Sequence, residues 1–507
     1  LDVIDSIKKV LPDCKILLGG PEVSYDGVDI MEANPLIDFL VEGEGEQTFR
    51  ELMDCLTHDL DMGAIDGLIW REDDKVIQNH ARNPISLDSI PFAYEQGMQS
   101  LENKIIYYET SRGCPYKCQY CLSSTTGRVC FLNLDRVKRE LAWFLQSGIK
   151  QVKLVDRTFN CNSARTKEIF RYLIQLGGNT NFHFEMAGDL IDEEMLDIIK
   201  TAPVGMFQFE IGIQSTKEDT LNAIQRRTDI SKIEYAVSQL IKMDNIHIHL
   251  DLIAGLPEED INSLAQSINQ VLSLNPHKLQ LGFLKLLKGS GLREASEKYN
   301  YRYTTYPPYE VLSSHVLSFS ELSQIKKIEE LIDLYYNSHR FQQSIGYLTK
   351  LKDEDYFTIF KGFADYWDKN EYFKYSHSNI SLYEYLFDYA STLDHVDKEL
   401  FRQLLCFDFV RHEKPGKFPK GLEVSPETRK KYNSQLFDFL SLEENLERYL
   451  PDWKGYTAKQ IMRWVYVEVF DYPLHQTKYH KERTVILFDY LHRIGVKNQS
   501  KITAINI

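Results

Sequence analysis

Long apolar runs are missing from this chain of 507 residues. No stretch of about twenty apolar residues interrupts it, and no basic segment followed by an apolar one opens it, so neither a membrane span nor a secretory leader is expected. Cysteine is scarce. Eight residues in so long a chain cannot form a disulfide framework, and a reducing cytoplasm is the expected compartment. Basic excess is missing as well: 59 Lys and Arg face 74 Asp and Glu, a formal net charge of −15. Such a field repels polyphosphate, so a nucleic-acid partner is not expected over the surface as a whole, although a local basic patch can override it. The chain is also too long for one core, and two or three domains are expected.

The cysteine that is present is concentrated. The stretch Thr110-Ser-Arg-Gly-Cys-Pro-Tyr-Lys-Cys-Gln-Tyr-Cys121 sets Cys114, Cys118 and Cys121 at the spacing C-x3-C-x2-C. Thiolates suit soft metals, and a cluster of four irons normally takes four of them; three in one loop leave one iron open to a substrate or cofactor. Gly113 and Pro115 favour a curled loop over a regular element. Structural zinc, disulfides and chance spacing are the alternatives; zinc would want a fourth Cys or His close by, and none follows at a familiar interval.

Ahead of this loop, Val3, Ile4, Ile7, Val10 and Leu11 share a helical face. Leu1 reads as mid-helix, as in a truncated chain. Lys15 to Gly20 and Phe39 to Val41 read as strands, each closed by a glycine turn, and a helix follows from Gln47 to Leu56. Glu42, Glu44 and Glu46 in the second turn would repel a phosphate, so a neutral or hydroxyl-bearing ligand suits it better. Ile65 to Trp70 and Lys75 to Gln78 make a hairpin around the acidic turn Glu72-Asp-Asp74. Asn83-Pro84 and Ile90-Pro91 then mark a boundary. From Lys104 the pattern alternates six times: strands at Ile105–Glu109, Gln151–Val155, Phe182–Met186, Met206–Ile211, Ile246–Ile253 and Lys278–Leu284, with helices near 134–147, 163–176, 192–201, 217–243 and 259–273. Such alternation implies a parallel sheet with crossover helices, whose sites form at the C-terminal ends of the strands. Asp156 and Arg157 there are expected to pair and cap the next helix, and Cys161 to be a packing cysteine. Lys285 and Lys288 are candidates to meet an anionic group. After about residue 300 come helical segments dense in Tyr, Phe and Leu. Within them, Ile325, Ile328, Leu331, Ile332 and Tyr335 form a core-facing stripe, Cys406 reads as core, and Arg411 to Lys420 with Arg429-Lys-Lys431 is the most basic stretch, read as a solvated connector, with a loop that covers the strand ends and binds an acidic substrate or nucleic acid as the alternative.

The cysteine spacing with Tyr120 before its last member resembles the signature of the radical S-adenosylmethionine (SAM) superfamily. Further segments follow in the same order: Phe209-Glu-Ile-Gly-Ile-Gln-Ser215 is similar to a "G-x-Q-S" strand, Leu221 to Thr228 to "L-x-x-I-x-R-x-T", and Asp251 to Pro257 to "D-L-I-x-G-L-P". Leu18-Gly-Gly-Pro-Glu-Val-Ser24 and Glu42 to Glu46 resemble the last third of the cobalamin-binding, Rossmann-like domain of one branch, without its D-x-H-x-x-G motif. The end of the chain resembles a helical domain of uncharacterised role found in that branch.

The resemblance implies an α/β fold: a partial (β/α)6 TIM-type radical SAM barrel over 101–300, preceded by a truncated Rossmann-like cobalamin-type lobe over 1–60 and an extension over 61–100, and followed by a mostly α-helical domain over 301–507. It implies a [4Fe-4S] cluster on the three cysteines and SAM on the open iron, with Tyr120, Glu185, Glu210, Gln214, Arg226 (or Arg227), Gly255 and Leu256 as cofactor-binding residues. The implied activity is reductive cleavage of SAM to a 5′-deoxyadenosyl radical, serving cobalamin-dependent methyl transfer to an unactivated carbon, with cobalamin held in the full-length protein. The alternatives are cobalamin-independent rearrangement or oxidation, or a non-catalytic electron-transfer protein. A small-molecule or peptide substrate, a reductant such as flavodoxin or ferredoxin, and no membrane are the expected partners.

Overall fold

A computed structural model describes all residues except 1, 59, 74, 96–103, 353, 424, 425, 478 and 507, together with the side chains of 126 and 426–429. Leu1, the turn residue Asp74 and the Arg429 side chain of the basic stretch therefore lie outside the described residues. The chain divides into two compact units, Leu1–Phe159 with Ile224–Arg226 and Lys285–Val311, and Asn160–Ala223 with Arg227–Leu284 and Leu312–Ile507.

In the first unit, α1 (Asp2–Val10), β1 (Leu17–Gly19), α2 (Gly27–Ala33), β2 (Phe39–Val41) and α3 (Glu46–His58) lead to the hairpin β3 (Leu68–Glu72) and β4 (Lys75–Gln78). β1 and β2 run parallel, and β3 and β4 extend the sheet antiparallel in the order β1-β2-β3-β4. β2 is buried along its length, as its apolar Phe-Leu-Val requires. Ile4, Met31, Ile37, Leu40 and Ile69 form a core on one side, and Phe39, Val41, Leu52 and Leu68 on the other. A Cβ at Gly27 would stand 2.6 Å from the Ile69 side chain, so α2 needs glycine there to seat on the sheet.

A six-stranded sheet carries the alternating region, in the order β12-β11-β10-β9-β8-β5. Its strands are β5 (Ile105–Tyr108), β8 (Gln151–Leu154), β9 (Asn181–Met186), β10 (Phe207–Gln214), β11 (His247–Ala254) and β12 (Lys278–Phe283); the short pair β6 (Ser111–Arg112) and β7 (Cys130–Phe131) lies between the first two in sequence. The registered pairs are parallel. The helices α4 (Leu134–Gln146), α5 (Ser163–Leu176), α6 (Glu193–Lys200) and α9 (Ile261–Ser273) fall where the periodicity places them. The helix expected at 217–243 is instead two, α7 (Glu218–Ala223) and α8 (Ile230–Met243). Gln225 between them takes φ +52, and Asp229 caps α8 by accepting from Lys232 N at 3.1 Å. A left-handed residue followed by a capping carboxylate starts a new helix whatever the apolar spacing says.

In the second unit the strands alternate sharply. Phe182, Phe184, Phe207 and Phe209 are buried, and the last three meet Phe170 of α5, with ring centroids 4.9 Å apart at the closest. By the period of two, the opposite face carries His183, Glu185, Gln208, Glu210, His249 and Asp251. That face of the sheet is thus polar.

The segment from Phe319 to His412 is helical; Ile325, Ile328, Leu331, Ile332 and Tyr335 are buried as their stripe predicts, and Tyr335, Phe341, Phe363, Trp367 and Tyr383 make ring contacts within it. Buried Asp408 accepts from Gln343 N, Ser344 N and Ser344 Oγ at 2.7–3.1 Å. A three-stranded antiparallel sheet follows over Val465–Phe470, Thr484–Ile494 and Gln499–Ile505. The helical reading of this region did not include that sheet. Among the described residues, no helix is long and apolar enough to cross a membrane.

Candidate functional site

The cysteine loop belongs to the first unit. β6 pairs with β7 so that Arg112 stands opposite Cys130, and Gly113, at φ +96, turns the chain into Cys114. Cys118 is buried; Cys114 and Cys121 are half-buried. Two backbone bonds fix the centre of the loop: Gln119 N donates to Ile224 O at 3.0 Å, and Leu292 N donates to Gln119 O at 2.9 Å.

The first of these brings in Arg226. Its Nη1 lies 3.7 Å from Cys118 Sγ and 3.3 Å from Tyr120 Oη. Burial pushes the Cys118 thiol up, and the guanidinium beside it acts the other way. Burial also raises the Tyr120 phenol. Arg227, the second arginine of the motif, is exposed. Arg226 sits in the break between α7 and α8, not on a helix face as the sequence pattern suggested.

Asp156 does not pair with Arg157 and does not cap the next helix, which Asn162 caps. It is buried, and accepts from Thr110 N at 2.9 Å, Thr110 Oγ1 at 2.6 Å and Ser111 Oγ at 2.5 Å. It therefore anchors the two residues from which the cysteine loop departs. Thr158, two residues on, has its hydroxyl 3.5 Å from Cys114 Sγ. Replacing Asp156 by alanine is expected to strand three donors and to cost about 3 kcal/mol of stability, with a loss of bound iron after reconstitution. Denaturant titration beside an iron assay checks this; unchanged values for both would refute the anchoring role.

Among the described residues, no three Cys, His, Asp or Glu side chains converge as a single metal ion requires. A four-iron cluster makes no such demand, because each thiolate binds a different corner of a cube. Three soft donors on one loop, one of them beside a guanidinium that balances anionic charge, are a donor set suited to that cluster.

In the lobe, Ser24 joins the two glycine turns: its Oγ donates to Gly20 O at 2.9 Å and accepts from Gly43 N at 3.1 Å. The carboxylates expected to repel phosphate are engaged. Arg112 holds Glu46 at 2.7 Å and Glu44 at 3.4 Å, and Gln78 donates to Glu42 at 2.9 Å. Lys288 likewise meets Asp26 at 2.8 Å and Glu22 at 3.4 Å.

The remaining candidates lie in the second unit, Glu185 and Gln214 toward the C-terminal ends of β9 and β10, Glu210 in the middle of β10, and Gly255 and Leu256 just after β11. Glu185 and Glu210 are register partners, and Glu210 is also opposite His249. His183 Nε2 lies 2.9 Å from Glu210. Gln214 stands at a register shift with φ +73, and Gly255 ends β11 at φ +93. Leu256 is fully buried. One residue was missed. Glu259 is buried, accepts from Ser215 Oγ at 2.5 Å and Ser267 Oγ at 3.2 Å, and is pushed up to about 7 by burial. It fixes the residue next to Gln214, and the only sequence signal for it was the acidic run Glu258-Glu-Asp260 directly after Pro257.

A parallel sheet with three cysteines in the loop after its first strand defines a class. Residues 108–271 match the radical SAM superfamily, so the chain carries a radical SAM domain. That superfamily uses a [4Fe-4S] cluster and SAM. Residues 297–488 match a family described as "Protein of unknown function (DUF4080)". The chain is 27% identical to the cobalamin-dependent radical SAM methyltransferase TokK of Streptomyces tokunonensis, over 61% of this chain and 48% of that protein. It is 25% identical to the anaerobic magnesium-protoporphyrin IX monomethyl ester cyclase of Synechocystis sp., over 54% and 56%. It thus spans about half the length of these curated relatives. The structure of the radical SAM methyltransferase TsrM from Kitasatospora setae shares the fold, with a TM-score of 0.50 at 16% identity, covering 62% of this chain and 64% of that one.

Proposed function

We propose that this protein is a radical SAM enzyme that transfers a methyl group to an unactivated carbon with the help of cobalamin. The observation that carries the reading is the loop that bears Cys114, Cys118 and Cys121, with Arg226 beside both Cys118 and Tyr120. The three thiolates would hold three irons of a [4Fe-4S] cluster, leaving the fourth for SAM. Such a cluster, when reduced, supplies the electron that splits the sulfonium of SAM into methionine and a 5′-deoxyadenosyl radical. Arg226 balances negative charge beside Cys118 and suits a carboxylate through bidentate geometry. Glu185, Glu210, Gln214, Gly255 and Leu256 are proposed for the remaining contacts to SAM. The single electron is assigned to a flavodoxin or ferredoxin, and the compartment to the cytoplasm.

The methyl-transfer reading draws on TokK, whose name states cobalamin dependence, and on the lobe whose glycine turns meet through Ser24. Within residues 1–507 no histidine follows an Asp at a two-residue interval. Anaerobically reconstituted protein given a strong reductant should form 5′-deoxyadenosine. With methylcobalamin and substrate, one SAM should yield S-adenosylhomocysteine and a second methionine. Methionine and 5′-deoxyadenosine alone, whether or not cobalamin is added, would favour rearrangement or oxidation; a cluster that cycles but never consumes SAM would refute both.

A further inference from the structure

Net charge −15 conceals one surface of the opposite sign. Three segments, 411–420, 454–464 and 490–501, contain ten Lys and Arg and a single acidic residue, Glu413. They are remote in sequence and adjacent in the second unit. Lys414 Nζ donates to the carbonyls of Met462 and Arg463 at 2.8 and 3.0 Å, Arg493 Nη2 donates to His412 O at 3.3 Å, and Ser500 Oγ donates to Arg411 O at 2.7 Å. Lys454 and Lys501 are paired with Glu447 and Asp452. Lys417, Lys459 and Arg463 are exposed and make no ion pair among the described residues.

Aromatic faces stand among these charges. Trp464 is 47% exposed and Tyr456 50%. Trp464 immediately precedes the first strand of the three-stranded sheet, and its carbonyl accepts from Tyr490 N at 3.0 Å. There a register shift between Asp489 and Arg493 lifts Tyr490 to His492 out of the ladder. Buried Asp489 holds the raised turn from beneath, accepting from Trp453 Nε1 at 2.6 Å and from the backbone N–H groups of Leu491 and His492. The platform is therefore built, not a loose loop.

We propose that this surface of the C-terminal region docks single-stranded RNA. Charge alone would suit any polyanion. Flat side chains left half in water beside unpaired cations suit a strand whose bases are free to stack, which a duplex hides and an acidic polypeptide lacks. Unpaired stretches are the ordinary state of RNA, whereas DNA is mostly paired. The proposal goes beyond the methyl-transfer reading and does not depend on it.

Fluorescence anisotropy with a labelled oligouridine of about twelve nucleotides tests it, on the full chain and without SAM. Saturable binding is expected, weakening with salt at a log–log slope of roughly −0.7 per phosphate contacted. Lys417→Glu with Arg463→Glu should lower affinity about tenfold or more and flatten the slope. Trp464→Ala should lower it about fivefold or more, with Trp464→Tyr restoring most of the loss. Thermal melts confirm that the variants fold. Absence of saturable binding at low salt would overturn the proposal. Binding of poly-glutamate or duplex DNA as tight as that of oligouridine, with Trp464→Ala indifferent, would also overturn it and mark a plain electrostatic surface.

Discussion

Cys118→Ala is expected to leave a folded protein that holds little iron after reconstitution and converts SAM at less than about one hundredth of the unaltered rate. Substitutions one shell outside a metal's ligands already cost roughly 10- to 100-fold, and a lost ligand costs more. Cys118 is the buried member of the three and the one beside Arg226. With alanine there, the guanidinium faces no thiolate, and two half-buried sulfurs remain. Cys130→Ala is the control. Cys130 stands opposite Arg112 in the short strand pair next to the loop, close in structure but outside the spacing, so its loss should spare both iron and activity. Iron analysis, visible absorbance and 5′-deoxyadenosine yield decide the matter. A Cys118→Ala protein that keeps its iron, or a Cys130→Ala protein that loses it, would show that the ligand set is wrong.

What could be read in the sequence was what is local. The cysteine spacing is a short-range signal, and the strands of the alternating region announce themselves by apolar runs between polar turns; observed boundaries differ from expected ones by a residue or two, and by three at the end of β10. Failures came where a long-range partner decides. Asp156 beside Arg157 looked like an ion pair because the two are neighbours in sequence; its true partners lie about 45 residues away, at Thr110 and Ser111. Arg226 was placed on a helix because apolar spacing continued through it, and a backbone turn at Gln225 overrode that spacing. Glu259 was invisible for the same reason as Asp156, since nothing nearby in sequence marks a carboxylate that a distant serine binds. Val465 to Phe470 and Thr484 to Ile494 were passed over because the helices before them set the expectation, although Val-Tyr-Val-Glu-Val-Phe is rich in strand-forming residues. The histidine cluster was not noted: His247 and His249 are neighbours on one strand, but His277 and His339 are distant in sequence, and only the tertiary fold brings their rings against them.

That histidine group leads to the second large expectation: the fold should lose about 4 kcal/mol between pH 7.5 and pH 5. His247 contacts His249 and His277 with ring centroids 4.8 Å from each, and His339 at 6.2 Å. Burial pushes these imidazoles down, His247 to about 4, His249 to about 3, His277 to about 2 and His339 to about 3. Ile248 N donates to His277 Nδ1 at 3.0 Å, a bond that only the neutral ring can accept. Lys497 adds to the effect on His247, His277 and His339, its cation disfavouring a second charge. In the unfolded chain each ring takes up a proton near pH 6.5 while the folded one does not, so stability is whole above that pH and falls below it. At pH 5 each ring contributes a loss of roughly 2 kcal/mol. Glu259 and Asp408 oppose this, because burial raises them to about 7 and about 6 and the folded state binds their protons first. Burial also raises Asp156, Glu329, Glu330 and Asp388 and lowers His412; the clustered imidazoles are expected to prevail, with a drop of about 4 °C in Tm. His247→Phe should flatten the dependence, since its Nδ1 has no partner to lose and a phenyl ring keeps the contacts of the imidazole. Calorimetry at pH 7.5, 6.5, 5.8 and 5.0 on both proteins reads the difference directly. A Tm that stays level across that range in the unaltered protein would mean that these rings are hydrated and charge freely, against the burial on which the expectation rests.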